Sequence, residues 1–182
     1  MNTLSIKTGG IKFVLGWLLV FVIRLIPFRP ANFEPMMATI MPYSKKYSVI
    51  TMFLFSFLSI FLFDLVTSGI GMWTWITAVA YGLLGVGSFF YFKNREATVR
   101  HFLTYGIIGT VLYDAVTGLS IGPLFYGQPF MEALTGQISF TLRHLLGTVI
   151  FSVVLSPVLY RFVVKNEVLE IPFLWNKIAR RA

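Results

Sequence analysis

The stretch Val49-Ile50-Thr51-Met52-Phe53-Leu54-Phe55-Ser56-Phe57-Leu58-Ser59-Ile60-Phe61-Leu62-Phe63 carries no charge, and the apolar run continues through Asp64 to Val66 before the turn residues Thr67-Ser68-Gly69. Period-two alternation is absent, and an open sheet edge cannot sit in lipid. About 20 mostly apolar residues suffice for a helix to cross a bilayer. The run therefore predicts a transmembrane helix.

Working outward from it, Trp75 to Phe92, Val99 to Thr117 and Ile138 to Val164 read the same way, the last with Pro157 near its far end. Toward the start of the chain, Ile11 to Ile26 is bounded by Lys12 and Pro27. Asn32 to Tyr43 is shorter and interrupted by Glu34 and Pro35. A secretory signal would need a small-residue cleavage site after its apolar stretch; here Arg24-Leu25-Ile26-Pro27 follows, so the first run reads as a retained span. The expectation is an all-α membrane bundle of six transmembrane helices over residues 1–164, with a basic cytoplasmic tail over 165–182.

Composition agrees. Of 182 residues, 57% are hydrophobic, 17% aromatic and 12% charged, about half the charge of a soluble domain. The absence of cysteine excludes disulfides, thiolate nucleophiles and Cys-ligated metal. Of the fifteen basic residues, twelve fall on alternate loops: Lys7 and Lys12; Lys45 and Lys46; Lys93, Arg95 and Arg100; Arg161, Lys165, Lys177, Arg180 and Arg181. The positive-inside rule puts those loops, and both termini, in the cytoplasm. This alternation needs six spans, so the short Asn32 run counts as one. The net charge of +8 is then a topology signal rather than a nucleic-acid footprint. Trp175 and Phe173 among the last cations predict a tail resting on anionic membrane lipid.

Four carboxyl groups, Glu34, Asp64, Asp114 and Glu132, gather at or near the outer ends of spans. Asp64 and Asp114 stand in matching contexts, Leu62-Phe63-Asp64-Leu65-Val66-Thr67 and Leu112-Tyr113-Asp114-Ala115-Val116-Thr117, offset by 50 residues. Such a match suggests a structural repeat, and transporters commonly bind substrate at repeat interfaces. The alternative is that each aspartate solvates a helix end. On a helix, Glu132, Gly136, Ser139, Arg143 and Gly147 form one polar or small stripe that suits a cavity, against an Arg143 that snorkels to lipid phosphate. His144 taken alone reads more readily as a packed, hydrogen-bonded histidine than as a metal ligand. Outer loops around Trp73, Trp75 and Tyr126 supply aromatic surface, either an interfacial belt or the lining of a ring-binding pocket.

Several chemistries have no counterpart here. There is no phosphate loop, no His-Glu-x-x-His helix and no Gly-x-Ser-x-Gly elbow. The two histidines, His101 and His144, fall near opposite ends of spans, which argues against a shared metal site. No catalytic residue, cofactor or metal is expected.

The stretches Pro30-Ala31-Asn32-Phe33-Glu34-Pro35, Phe61-Leu62-Phe63-Asp64-Leu65, Gly71-Met72-Trp73-Thr74, Tyr105-Gly106 through Tyr113-Asp114, and Ile138-Ser139-Phe140-Thr141-Leu142-Arg143-His144 resemble the substrate-binding S components of energy-coupling factor vitamin transporters. The resemblance covers about residues 20 to 162. It implies a plasma-membrane, multi-pass protein that captures a vitamin-like small molecule from outside. It also implies a coupling transmembrane subunit and two ATPase subunits as partners. Where many members carry an Ala-x-x-x-Ala patch in the first span, this chain has Gly9, Gly10 and Gly16.

The expected site is an outward-facing pocket of Asn32, Glu34, Asp64, Trp73, Trp75, Asp114, Tyr126, Arg143 and His144. The carboxylates would take donors or cationic groups, Arg143 an acidic group, and the tryptophans a ring. The rival readings are an intramembrane hydrolase or lipid-modifying enzyme using Glu132, Arg143 and His144, a structural assembly protein, and a self-contained secondary transporter.

Overall fold

A backbone surrounded by lipid or by apolar side chains must satisfy its N–H and C=O groups internally, and the apolar runs accordingly fold as helices. The structure, a computed structural model, describes residues 10–170. The readings that involve Lys7, Gly9, Phe173, Trp175, Lys177, Arg180 and Arg181 lie outside the described residues. Seven α-helices follow in chain order: α1 (Gly10–Leu25), α2 (Met36–Ser44), α3 (Val49–Val66), α4 (Met72–Phe92), α5 (Val99–Val116), α6 (Gly122–Tyr126) and α7 (Phe130–Val158). A π-helical turn, Thr117–Ile121, joins α5 to α6, and a second, Leu159–Val164, extends α7. Among the described residues there is no strand.

Side-chain caps define several ends. Ser48 opens α3 by accepting from the Thr51 N–H at 3.4 Å, and Thr98 opens α5 by accepting from the His101 N–H at 3.4 Å. At the far end of α3, Gly69 (φ +80°) turns the chain back and donates its N–H to the Asp64 carbonyl at 2.7 Å.

Among the described residues, four segments are long and apolar enough to cross a membrane: α3, α4, Val99–Tyr126 and Phe130–Val164. The two N-terminal runs behave differently from the six-span expectation. With 16 residues, α1 rises ~24 Å, less than the ~30 Å of a hydrocarbon core. The Asn32 run yields only the nine-residue α2, whose every residue is buried. It sits at the centre of the bundle, touching α3, α4, α5 and α7. Irregular backbone at such depth survives where protein covers it.

Around α2, α3 packs along α4 and α5 along α7. Gly85 lets the first pair close up, since a Cβ there would overlap the Met52 carbonyl. At one end of the bundle, Lys12 and Lys46 each donate Nζ–H to the Val164 carbonyl, at 2.9 and 3.3 Å, and both pair with Glu170. Lys45 donates to the Phe92 and Arg95 carbonyls at 3.3 and 2.8 Å. Twelve residues along α1 from Lys12, or ~18 Å, Arg24 marks the opposite end. That end holds the candidate site.

Candidate functional site

Three sequence-distant elements finish at that end and bring polar groups to it. The segment between α1 and α2 is irregular, and Asn32 adopts a left-handed φ of +67°, a conformation asparagine tolerates better than most residues. Its backbone lies flat on α7 at Gly147: a Cβ there would sit 3.0 Å from the Glu34 N and 3.1 Å from the Phe33 Cα. Glycine at 147 thus sets the depth at which Asn32 and Glu34 enter the bundle. Asp64 comes from the last turn of α3, where its Oδ2 accepts from the Thr74 hydroxyl at 2.8 Å; Thr74 Oγ1 in turn accepts from the Gly71 N–H at 3.2 Å.

These groups face one cavity of about 200 Å³. Arg24, Asn32, Glu34 and Asp64 supply its charged and amide lining, and Trp73, Tyr81, Tyr113 and Phe140 its aromatic walls. Ile60, Thr77, Thr117 and His144 complete it. Seven of its twelve lining residues are polar or charged and five apolar or aromatic, so flat rings and convergent polar groups meet in one hollow, as they do in small-molecule sites.

Its charges are unevenly matched. Glu34 stands between two arginines, with Oε2 3.4 Å from Arg24 Nε and Oε1 3.2 Å from Arg29 Nη1. Arg29 also donates to the Phe33 carbonyl at 2.7 Å. Arg24 stacks its Cζ 4.0 Å over the Phe63 ring. Among the described residues, its Nε and Nη1 are shielded from solvent without an aligned hydrogen-bond partner.

Beneath the cavity, His144 Nδ1 lies 2.9 Å from Asp114 Oδ1, and His144 Nε2 faces the Tyr81 hydroxyl at 3.5 Å. With Asp114 Oδ1 accepting, His144 Nδ1 donates, which leaves Nε2 beside the Tyr81 hydroxyl on the cavity side. The buried Asp114 Oδ2 has no partner among the described residues.

The nine expected site residues therefore separate into groups. Asn32, Glu34, Asp64, Trp73 and His144 line the cavity. Asp114 lies behind His144 and reaches the site through it. Tyr126 lines an adjoining hollow of about 260 Å³ that shares Trp73, Thr117 and Phe140 with the cavity. Two residues fall outside. Trp75, half exposed, packs its ring 5.3 Å from Phe61 and 6.2 Å from Phe57 on the outer side of α3 and α4. Arg143 is exposed and donates its Nε–H to the Ser139 carbonyl of its own helix at 3.1 Å.

The reason is a rotation of α7. The expected stripe of Glu132, Gly136, Ser139 and Arg143 is exposed, and only Gly147 of that set is buried. The inward stripe runs about 100° around the helix, through Ala133, His144, Thr148, Ser152 and Ser156. Buried hydrogen bonds fix that choice: His144 to Asp114, Thr148 to Thr110 at 2.8 Å, and Ser156 to the Ala38 carbonyl at 2.9 Å. Glu132 bonds Gln128 at 3.4 Å and lies twelve residues, ~18 Å, along the helix from His144. The trio Glu132, Arg143 and His144 does not converge.

The chain matches no family model, no curated protein and no solved structure.

The residues missed from sequence are instructive. Arg24 is not among the expected site residues, although an arginine closing an apolar run ten residues before a glutamate is a candidate for an inward ion pair. Tyr81, Tyr113 and Phe140 carry no one-dimensional mark that separates them from the other aromatics of the bundle. The matched aspartates do share local structure: Thr67 Oγ1 donates to the Phe63 carbonyl at 2.7 Å and Thr117 Oγ1 to the Tyr113 carbonyl at 2.8 Å. Asp64 then faces the cavity directly, and Asp114 faces it through His144.

Proposed function

We propose that this chain is the membrane-embedded substrate-capture subunit of an importer of the energy-coupling factor type. In this reading it takes a vitamin-like small molecule from outside the plasma membrane, with the lysine-rich end of the bundle in the cytoplasm. The α1 and α2 segments complete a six-span topology as two short arms flanking irregular backbone. Energy comes from a separate coupling transmembrane subunit and two ATPase subunits, consistent with a sequence that has no phosphate loop.

One observation supports the reading above the others. Ionisable or amide side chains from three sequence-distant segments, Arg24 through Glu34, Asp64 and His144, meet in a single aromatic-walled cavity at one end of the bundle. Burying such groups in a membrane protein is expensive and is usually tied to function. A purely structural assembly role gives no reason to gather them around a hollow.

Native mass spectrometry of the gently purified complex tests the proposal. A retained small molecule together with a coupling subunit supports it. A chain that captures nothing and carries solute alone under an ion gradient in vesicles contradicts it in favour of a secondary transporter.

A further inference from the structure

We infer that the cavity selects a small, planar ring compound bearing an acidic group, which Arg24 receives, and a hydrogen-bond donor, which Asp64 receives. The inference rests on the capture reading and adds the chemical class of the ligand.

The charge distribution carries it. At the α1 end, two guanidinium groups share one carboxylate, leaving an excess of one positive charge that Glu34 does not balance. Of the pair, Arg29 gives Nη1 to the Phe33 carbonyl, keeps a buried Nε without a partner among the described residues, and does not line the cavity, whereas Arg24 does. Arg24 Nη1 is hidden from solvent with no acceptor among the described residues, and its Nε has only Glu34 Oε2 at 3.4 Å. Such donors are costly to leave unmade, and a carboxylate is the geometric complement of a guanidinium edge.

Asp64 presents the opposite polarity. Its Oδ2 is held by the Thr74 hydroxyl, and no cation pairs with it among the described residues. The other half of that carboxylate is available to an N–H or O–H. Between the two poles stand the Trp73, Tyr81, Tyr113 and Phe140 rings, which favour a flat π-face. A cavity of about 200 Å³ accommodates a small ring system.

A matched pair of probes tests this: 4-aminobenzoate and 4-aminobenzamide, which share ring and amine and differ in the acidic group. Binding to the intact protein in detergent is followed by thermal shift and isothermal titration. The expected result is binding of the acid at least about tenfold tighter than of the amide. Arg24→Gln should remove that preference, and Arg24→Lys, which keeps the charge, should retain part of it. Asp64→Asn should weaken both probes together.

Equal binding of acid and amide, or an Arg24→Gln protein that keeps the preference, overturns the acidic class and leaves substrate capture standing. So does a neutral or cationic molecule found on the purified wild type. Failure of both probes to bind on the order of 10 mM, the range of weak fragments, also overturns the acidic class. If the wild type is then empty as well, capture falls with it.

Discussion

His144 Nδ1 and Asp114 Oδ1, thirty residues apart in the chain, stand 2.9 Å from each other where neither side chain is more than 3% exposed. A buried pair of this kind holds one imidazole tautomer, and here that sets which nitrogen the cavity meets. The two side chains act as a unit, which makes the coupling between them measurable.

A double-mutant cycle on Asp114→Ala and His144→Ala should show that coupling. Removing either partner alone leaves a buried polar group unsatisfied, at ~1–3 kcal/mol. Removing both should cost less than the sum, with an interaction free energy within the ~0.5–3 kcal/mol seen for contacting residues. Thermal unfolding of the four proteins in one detergent reads it, and strictly additive losses would show that the pair does not act as a unit.

Gly147→Val tests how the Asn32–Glu34 segment is seated. The new Cβ meets the Phe33–Glu34 backbone at 3.0–3.2 Å, and backbone cannot rotate away as a side chain can. A loss of ~1–3 kcal/mol is expected, together with ligand affinity. Leu146→Ala, on the exposed side of the same helix and lining neither hollow, should leave ligand affinity unchanged.

At the lysine-rich end, the hydrogen bond from Lys46, reinforced by Lys12, holds the Glu170 carboxyl below its ordinary range. The folded-state pKa is therefore lower than the unfolded value of ~4.3. The stabilisation is fully present above that value and is lost as the pH falls through the depressed folded one. Its size should be that of a partly exposed pair, up to ~1 kcal/mol. Glu170→Gln should lower the melting temperature at neutral pH and cancel most of the difference from wild type in strong acid. An unchanged melting temperature at neutral pH would show that the contact contributes nothing.

Because the chain has no cysteine, single substitutions give unambiguous labels for topology. Lys93→Cys is expected to react with a membrane-impermeant maleimide only after the cytoplasmic side is opened. Ser68→Cys is expected to react in intact cells. The reverse pattern would invert the orientation and place the cavity toward the cytoplasm.

Apolar runs such as Val49 to Val66 made the helical class legible in the sequence, because lipid imposes length and backbone satisfaction on any crossing segment. That Asp64, Asn32 and Glu34 gather at one end of the bundle was legible for a related reason, since polar groups at span ends stand out against an apolar background. The facing of α7 was not. Arg143 and His144 are neighbours in sequence and both polar, and only the partners Asp114, Thr110 and the Ala38 carbonyl decide which of them turns inward. Nor was the burial of α2, whose nine residues read as a short span but fill the centre of the bundle. Arg24 was hidden by the same ambiguity, because a basic residue at a span end fits a loop as well as a cavity.

The most direct test compares ligand retention by native mass spectrometry in the wild type, His144→Gln, Asp64→Asn and Arg143→Ala, all purified under one condition. The account predicts a small molecule on the wild type, retained by Arg143→Ala and lost or weakened about tenfold or more in the other two. A molecule held equally by all four proteins, or lost only in Arg143→Ala, would contradict it.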